Sequence, residues 1–188
     1  MPQKIPEILV VEPDIHGDER GYFMETFRQD KFEEALGFKL LFVQDNQSKS
    51  SKGVLRGLHF QLTPNAQSKL VQVIEGTVLD VAVDIRTKSP SFGEAVSVEL
   101  SQENKKQMFI PRGFAHGYIV LSDSATFAYK VDNFYSPESE RGLAFDDPDL
   151  NIDWILPRDQ ITMSDKDVEL PRLSELKETF DYRNNYYE

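Results

Sequence analysis

An all-β domain, an antiparallel sandwich or small barrel with a few short peripheral helices, is the fold class this sequence predicts. Three observations predict it. The stretch Val78-Leu-Asp-Val-Ala-Val-Asp-Ile85 alternates, with Leu79, Val81, Val83 and Ile85 on one face and Asp80, Ala82 and Asp84 on the other. The same period of two returns at Val96, Val98 and Leu100, at Phe127, Tyr129 and Val131, and at Lys69, Val71 and Val73. Turn signals separate these runs at Glu75-Gly76, Lys88-Ser-Pro90, Pro111-Arg-Gly113 and Ser136-Pro137. Many short strands at such spacing indicate a closed or two-layered antiparallel sheet.

Helices are minor. Residues 30–36 predict one, with Asp30 as N-cap and Gly37 as its stop, and Ser174 is a candidate cap for a second carrying Leu176 and Phe180. No linker or long repeat divides the chain, so its 188 residues are expected to form one domain, 1–188. The closing run 181–188 is expected either to pack on a partner subunit or to be disordered.

Composition narrows the function classes. A formal charge of −11 argues against nonspecific nucleic-acid binding, which depends on Lys and Arg neutralising phosphates. The chain has no cysteine, so disulfides and thiolate metal sites are ruled out. Neither a signal peptide nor a run of roughly 18 apolar residues is apparent, and the expected location is cytoplasmic with no membrane contact. In so acidic a chain, an anionic ligand needs a local cluster of cations, which makes the position of each Arg and Lys informative.

The Pro111-Arg-Gly-Phe-Ala-His116 segment resembles the second motif of cupins, in which Pro and Gly form a turn that delivers a His into the barrel mouth. Many cupins use that His to bind metal. Here the only histidines are the 3 at His16, His59 and His116, and Gln61 stands where the first cupin motif would supply the second His of a His-x-His pair. A transition-metal site normally takes several His and carboxylate ligands. No metal is therefore expected, and His59 is redirected toward acid–base chemistry, for which imidazole is suited near neutral pH.

The surrounding segments are more specific. Gly17-Asp-Glu-Arg-Gly-Tyr22, Phe42-Val-Gln-Asp-Asn46, Leu55-Arg-Gly-Leu-His-Phe-Gln61, Val81-Ala-Val-Asp-Ile-Arg86, Ser89-Pro-Ser-Phe-Gly93, Ile110-Pro-Arg-Gly-Phe-Ala-His-Gly117 and Tyr135-Ser-Pro137 follow in order. Together they closely resemble the dTDP-4-dehydrorhamnose 3,5-epimerases, from about Val11 to about Asp167. The resemblance implies a cupin-like antiparallel jelly roll, a homodimer, and cofactor-free inversion of C3 and C5 of dTDP-4-keto-6-deoxyglucose. The pathway implied is dTDP-L-rhamnose biosynthesis for a cell-surface polysaccharide.

Residue roles carry over from the same resemblance. His59 matches the base, Asp167 the carboxylate that orients it, Lys69 the cation at the developing O4 charge, and Tyr129 the acid on the opposite face. Arg56 and Lys166 match contacts to the sugar and phosphates, Gln44, Asp45 and Asn46 line the nucleotide cleft, and His116 matches a sugar contact. Arg20 and Glu25 match residues reaching into the partner's site, Tyr135 a stacking residue on the base, and Glu140 a further contact. On a regular strand Arg56 and His59 would point to opposite faces, so a bulge or kink is expected at Gly57. Three other readings stay open at this level: an enzyme inverting one carbon, a binding-only cupin and a metal-dependent cupin.

Overall fold

Alternating side chains give the chain its strands, and the pairing of those strands decides which faces are buried. The computed structural model describes residues 4–188. Its strands begin with β1 (Leu9–Val11), β2 (Ile15–Asp18) and β3 (Gly21–Met24), followed by helix α1 (Gln29–Leu36). β4 (Gln44–Ser51), β5 (Leu55–Gln61), β6 (Lys69–Glu75), β7 (Thr77–Asp84), β8 (Arg86–Thr87) and β9 (Ala95–Ser101) come next. β10 (Gln107–Ile110), β11 (Phe114–Val120), β12 (Ser124–Val131), β13 (Glu140–Gly142), helix α2 (Asp165–Val168) and β14 (Phe180–Asp181) complete the chain.

The strands assemble into two five-stranded antiparallel sheets, ordered β1-β10-β6-β12-β4 and β13-β5-β11-β7-β9. This is the jelly-roll sandwich expected. One apolar cluster fills the space between the sheets and includes Val71, Val73, Ala82, Met108 and Phe127. A second lies on the outer face of the β5–β11–β7 sheet, where Leu79, Val81, Val83 and Ile85 meet Leu143, Phe145, Trp154 and Phe180 of the C-terminal region. β2 and β3 form a separate two-stranded hairpin.

β7 keeps the alternation read from the sequence, but both of its faces are buried. It sits between β11 and β9, with the C-terminal region over one face and the first sheet over the other. Asp80 and Asp84 are tolerated there because each has partners. Asp80 accepts from His116, and Asp84 accepts from Arg86, Ser89 and Ser91. Burial pushes the Asp84 carboxyl up, but these hydrogen bonds outweigh it and hold the group below its usual value.

Two local expectations are corrected, and a third, left open between two alternatives, loses the disordered one. The first helix starts at Gln29 with Arg28 as N-cap, and Asp30 instead sits in its first turn, bonded to the Arg28 guanidinium at 2.6 Å. Gly37 ends it in the left-handed conformation, as expected. Around Ser174 there is only a single 3-10 turn, Leu173–Glu175, and Phe180 lies in β14 beside β8. The apolar residues there serve the outer cluster rather than one helix face, since Leu173, Leu176 and Phe180 all pack on it. The closing run packs on its own domain: Tyr187 Oη lies 2.8 Å from Ser68 Oγ and accepts from the Arg112 N–H at 2.9 Å.

Gly57 carries the expected irregularity. The β5–β11 register slips between His116↔His59 and Tyr118↔Arg56, so β5 has one residue more than its partner. Gly57 has φ +127°, and a Cβ there would lie 2.5 Å from the Cα of Gly117. Only glycine fits that approach. The extra residue lets Arg56 and His59, three apart, both face the space between the sheets.

Candidate active site

A cavity of about 520 Å³ opens between the two sheets, and its lining includes Arg56, His59, Lys69, His116, Tyr129 and Asp167. A second cavity of about 340 Å³ shares His59, Lys69 and Tyr129 with it and extends to Gln44, Asn46, Tyr135 and Glu140. Most of the residues singled out in the sequence therefore converge on one continuous cleft.

His59 comes from β5, and Asp167 from α2 in the C-terminal region. Their side chains meet at 2.6 Å, His59 Nε2 to Asp167 Oδ1. Ser164 caps α2 by accepting from the Asp167 N–H, which fixes the carboxylate at the helix start. Burial pushes the Asp167 carboxyl up, but the hydrogen bond and charge of His59 and the Ser164 contact prevail and hold it below its usual value. An ionised Asp167 bonded to Nε2 fixes the orientation of the imidazole ring.

Lys69 opens β6 on the same face as Val71 and Val73, so the strand aims a lysine into the sandwich interior. Its Nζ lies 3.5 Å from the His59 carbonyl oxygen and 3.4 Å from His116 Nδ1. The other nitrogen of His116 lies 3.0 Å from Asp80, whose side chain is fully buried. With Asp80 accepting from Nε2–H, the Nδ1 lone pair accepts from the Lys69 ammonium. Burial lowers the Lys69 pKa to about 8, against the opposing charges of Asp80 and Glu140. Burial also lowers the His116 pKa against the pull of Asp80, with Lys69 and His59 adding to the decrease. At neutral pH the chain thus holds a neutral imidazole and an ammonium ready to meet negative charge.

Tyr129 comes from β12, in register with Val71 on one side and Asn46 on the other. Burial raises its pKa, the neighbouring Tyr118 adds to this, and Arg56 opposes it. The phenol therefore keeps its proton. Arg56 donates to Ser50 Oγ at 3.2 Å from the rim of the cavity.

At the outer end, Tyr135 Oη donates to Glu140 Oε2 at 3.0 Å, and Lys166 Nζ bonds the same oxygen. Burial pushes the Glu140 carboxyl up, but the bonds from Lys166 and Tyr135 leave it below its usual value. Gln44 and Asn46 share one face of β4, with Gln44 Nε2 donating to Asn46 Oδ1 at 2.8 Å. Asp45 lies outside this group, as strand alternation requires: it pairs with Lys130 at 3.0 Å and borders a separate cavity. Arg20 and Glu25 also lie outside it. Arg20 pairs with Asp18 on the exposed hairpin, and Glu25 with Lys31 at 3.0 Å.

Asp80 was not singled out from the sequence as a site residue. The available signal was two aspartates, Asp80 and Asp84, on one face of an otherwise apolar strand. Among the described residues, no group of three or more His, Asp or Glu side chains is arranged to hold a metal ion. Among them also, no helix is long and apolar enough to cross a membrane.

Known proteins share this fold. The family profile described as dTDP-4-dehydrorhamnose 3,5-epimerase matches residues 2–175. The dTDP-4-dehydrorhamnose 3,5-epimerase of Shigella flexneri is 59% identical over 165 residues, 88% of this chain and 90% of that protein. A crystal structure of dTDP-6-deoxy-D-glucose-3,5-epimerase from Legionella pneumophila, in complex with dTDP-4-keto-L-rhamnose, superposes with a TM-score of 0.93 at 50% identity and covers 98% of each chain. A 3'-monoepimerase from Streptomyces bikiniensis, in complex with dTDP-quinovose, superposes at 0.86 with 34% identity, covering 92% of this chain and 87% of that one. On this breadth of match the chain belongs to the dTDP-4-dehydrorhamnose 3,5-epimerase family.

Proposed function

We propose that this protein inverts C3 and C5 of dTDP-4-keto-6-deoxyglucose, giving dTDP-4-keto-L-rhamnose for dTDP-L-rhamnose biosynthesis in the cytoplasm. One observation carries the mechanism. His59 belongs to the β5 sheet and Tyr129 to the β12 sheet, and both line the cavity between those sheets. A planar enolate lying in that cavity has a base on one face and an acid on the other.

In each half of the reaction, His59 removes the proton alpha to the C4 ketone and becomes imidazolium beside Asp167. The electron pair of the broken C–H bond moves into the enolate, and the O4 charge is met by the Lys69 ammonium. The enolate carbon then takes a proton from the Tyr129 hydroxyl on the opposite face, which inverts the centre. Exchange with solvent returns the proton to Tyr129 and removes it from His59. The net reaction is an isomerisation with no oxidant or reductant.

Arg56 and Lys166 serve the sugar and diphosphate, His116 the sugar, and Gln44, Asn46, Tyr135 and Glu140 the nucleoside. We also propose a homodimer in which the β2–β3 hairpin carries Arg20 and Glu25 toward the partner's cleft. In support, the hairpin pairs with no other strand among the described residues and exposes Tyr22 and Phe23.

The test is to incubate the protein with dTDP-4-keto-6-deoxyglucose in heavy water, without added metal or nicotinamide, and to follow deuterium. Label at both C3 and C5 is expected. Label at one carbon moves the protein to the single-inversion class, and no label leaves a binding protein.

A further inference from the structure

The loop joining β12 to β13 carries Phe134 and Tyr135 with relative exposures of 64% and 53%. Rings this exposed have little packing of their own to hold them at the rim of the cleft. Their backbone is nonetheless gripped by side-chain amides from the end of β5 and the β5–β6 connection. Gln61 Nε2 donates to Phe134 O at 3.2 Å, and Gln61 Oε1 accepts from the Ser136 N–H at 2.7 Å. The same Nε2 donates to Asn65 O at 2.6 Å. Asn65 Nδ2 donates to Ser139 Oγ at 2.9 Å, and Gln67 Nε2 to Asn133 O at 2.7 Å.

One buried amide thus holds the peptide groups on both sides of Tyr135. Gln61 is 4% exposed, and its carbonyl and amino groups are both engaged, as burial of an amide requires. It follows His59 by two residues on β5, so it shares the inward face, and it pairs in register with Glu140. Glu140 in turn accepts from the Tyr135 hydroxyl. Both ends of Tyr135 are therefore anchored to the same short stretch of sheet.

We propose that Gln61 is a positioning residue that holds Tyr135 as a preformed platform for the nucleobase, so that it sets nucleotide affinity and not turnover. The inference rests on the nucleotide-sugar reading above. A platform already ordered in the free protein spares the ligand the cost of ordering the loop. Gln61 occupies the position at which the metal-binding cupin pattern would place its second His. In this chain that inward position grips a binding loop.

The test is a double-mutant cycle read by dTDP binding and by steady-state kinetics. Gln61→Leu is expected to weaken dTDP binding and raise KM by about tenfold, with kcat within about threefold. In a Tyr135→Ala background the same substitution is expected to have almost no effect on dTDP binding, because it acts through the ring already removed. Gln67→Leu, which releases only the Asn133 carbonyl, provides a milder variant should Gln61→Leu fold poorly, with about a threefold weakening expected. Fully additive losses, or a fall in kcat with KM unchanged, would overturn the proposal. If the wild-type protein epimerises and binds dTDP while neither substitution alters binding, only the positioning role fails. A wild-type protein that does not bind dTDP removes both readings.

Discussion

His59 Nε2 and Asp167 Oδ1 lie 2.6 Å apart although 108 residues separate them in the chain. β5 supplies one and the short helix α2 the other, and the Ser164 cap fixes the orientation of the pair. Asp167→Asn keeps the shape but removes the charge that stabilises imidazolium, and should lower kcat by about 10² or more. Asp167 also has a pH signature. Its folded pKa lies below the unfolded value, so its contribution to stability is present above about pH 4 and is lost as the pH falls through the folded value. Acid unfolding followed by circular dichroism should show a shallower acid limb in Asp167→Asn than in the wild type.

Lys69, with a pKa lowered to about 8, should give kcat/KM an alkaline limb near that pH, as the ammonium that meets O4 loses its proton. Lys69→Met should lower kcat by about 10² and abolish the limb. Between about pH 8 and about pH 10.4 the unfolded chain binds more protons at this lysine than the folded chain does. The contribution of Lys69 therefore makes folding stability rise with pH in that window, and Lys69→Met should remove the rise in urea denaturation.

Tyr129→Phe removes the acid and leaves the base. Exchange of the C3 and C5 protons with heavy water should persist while formation of inverted product falls by about 10² or more. Both quantities are readable by NMR in one reaction. Loss of exchange together with inversion would show that the tyrosine is needed for proton removal too.

Gly57→Ala should destabilise the fold by about 2 kcal/mol or more, because the residue has φ +127° and a Cβ there would lie 2.5 Å from the Gly117 Cα. Thermal unfolding measures the loss. Activity should fall further than the unfolded fraction explains, since the extra residue here is what turns both Arg56 and His59 inward.

The hairpin proposal is tested at Phe23, which is 71% exposed and belongs to a strand that, among the described residues, pairs only with β2. Sedimentation should show a dimer for the wild type and a monomer for Phe23→Asp, with weaker dTDP binding in the monomer. Dimeric Phe23→Asp with unchanged binding would remove the hairpin from the interface.

The sequence by itself determined the all-β class, the alternating faces of β6, β7, β9 and β12, and the family. Each strand advertises its faces by alternation, and that property is local: Lys69 with Val71 and Val73, and Tyr129 with Phe127, were on inward faces before any pairing was known. The misfit between Arg56 and His59 likewise announced the irregularity at Gly57. The reading of His59 as an acid–base group and not a metal ligand came from Gln61, which stands in place of a second metal-binding His.

Only the tertiary structure decided what those faces meet. Alternation separates the two sides of β7 but says nothing of what covers them, and the C-terminal region buries one while the opposite sheet buries the other. The same physics explains why Asp45 left the cleft, why Asp80 joined His116 and Lys69, and why Gln61 became a clamp on the Tyr135 loop. A strand's period follows from backbone geometry repeated every two residues. Contacts across the sandwich follow from sheet order and register, which depend on the whole chain at once and leave no local mark around Asp167 to point toward His59.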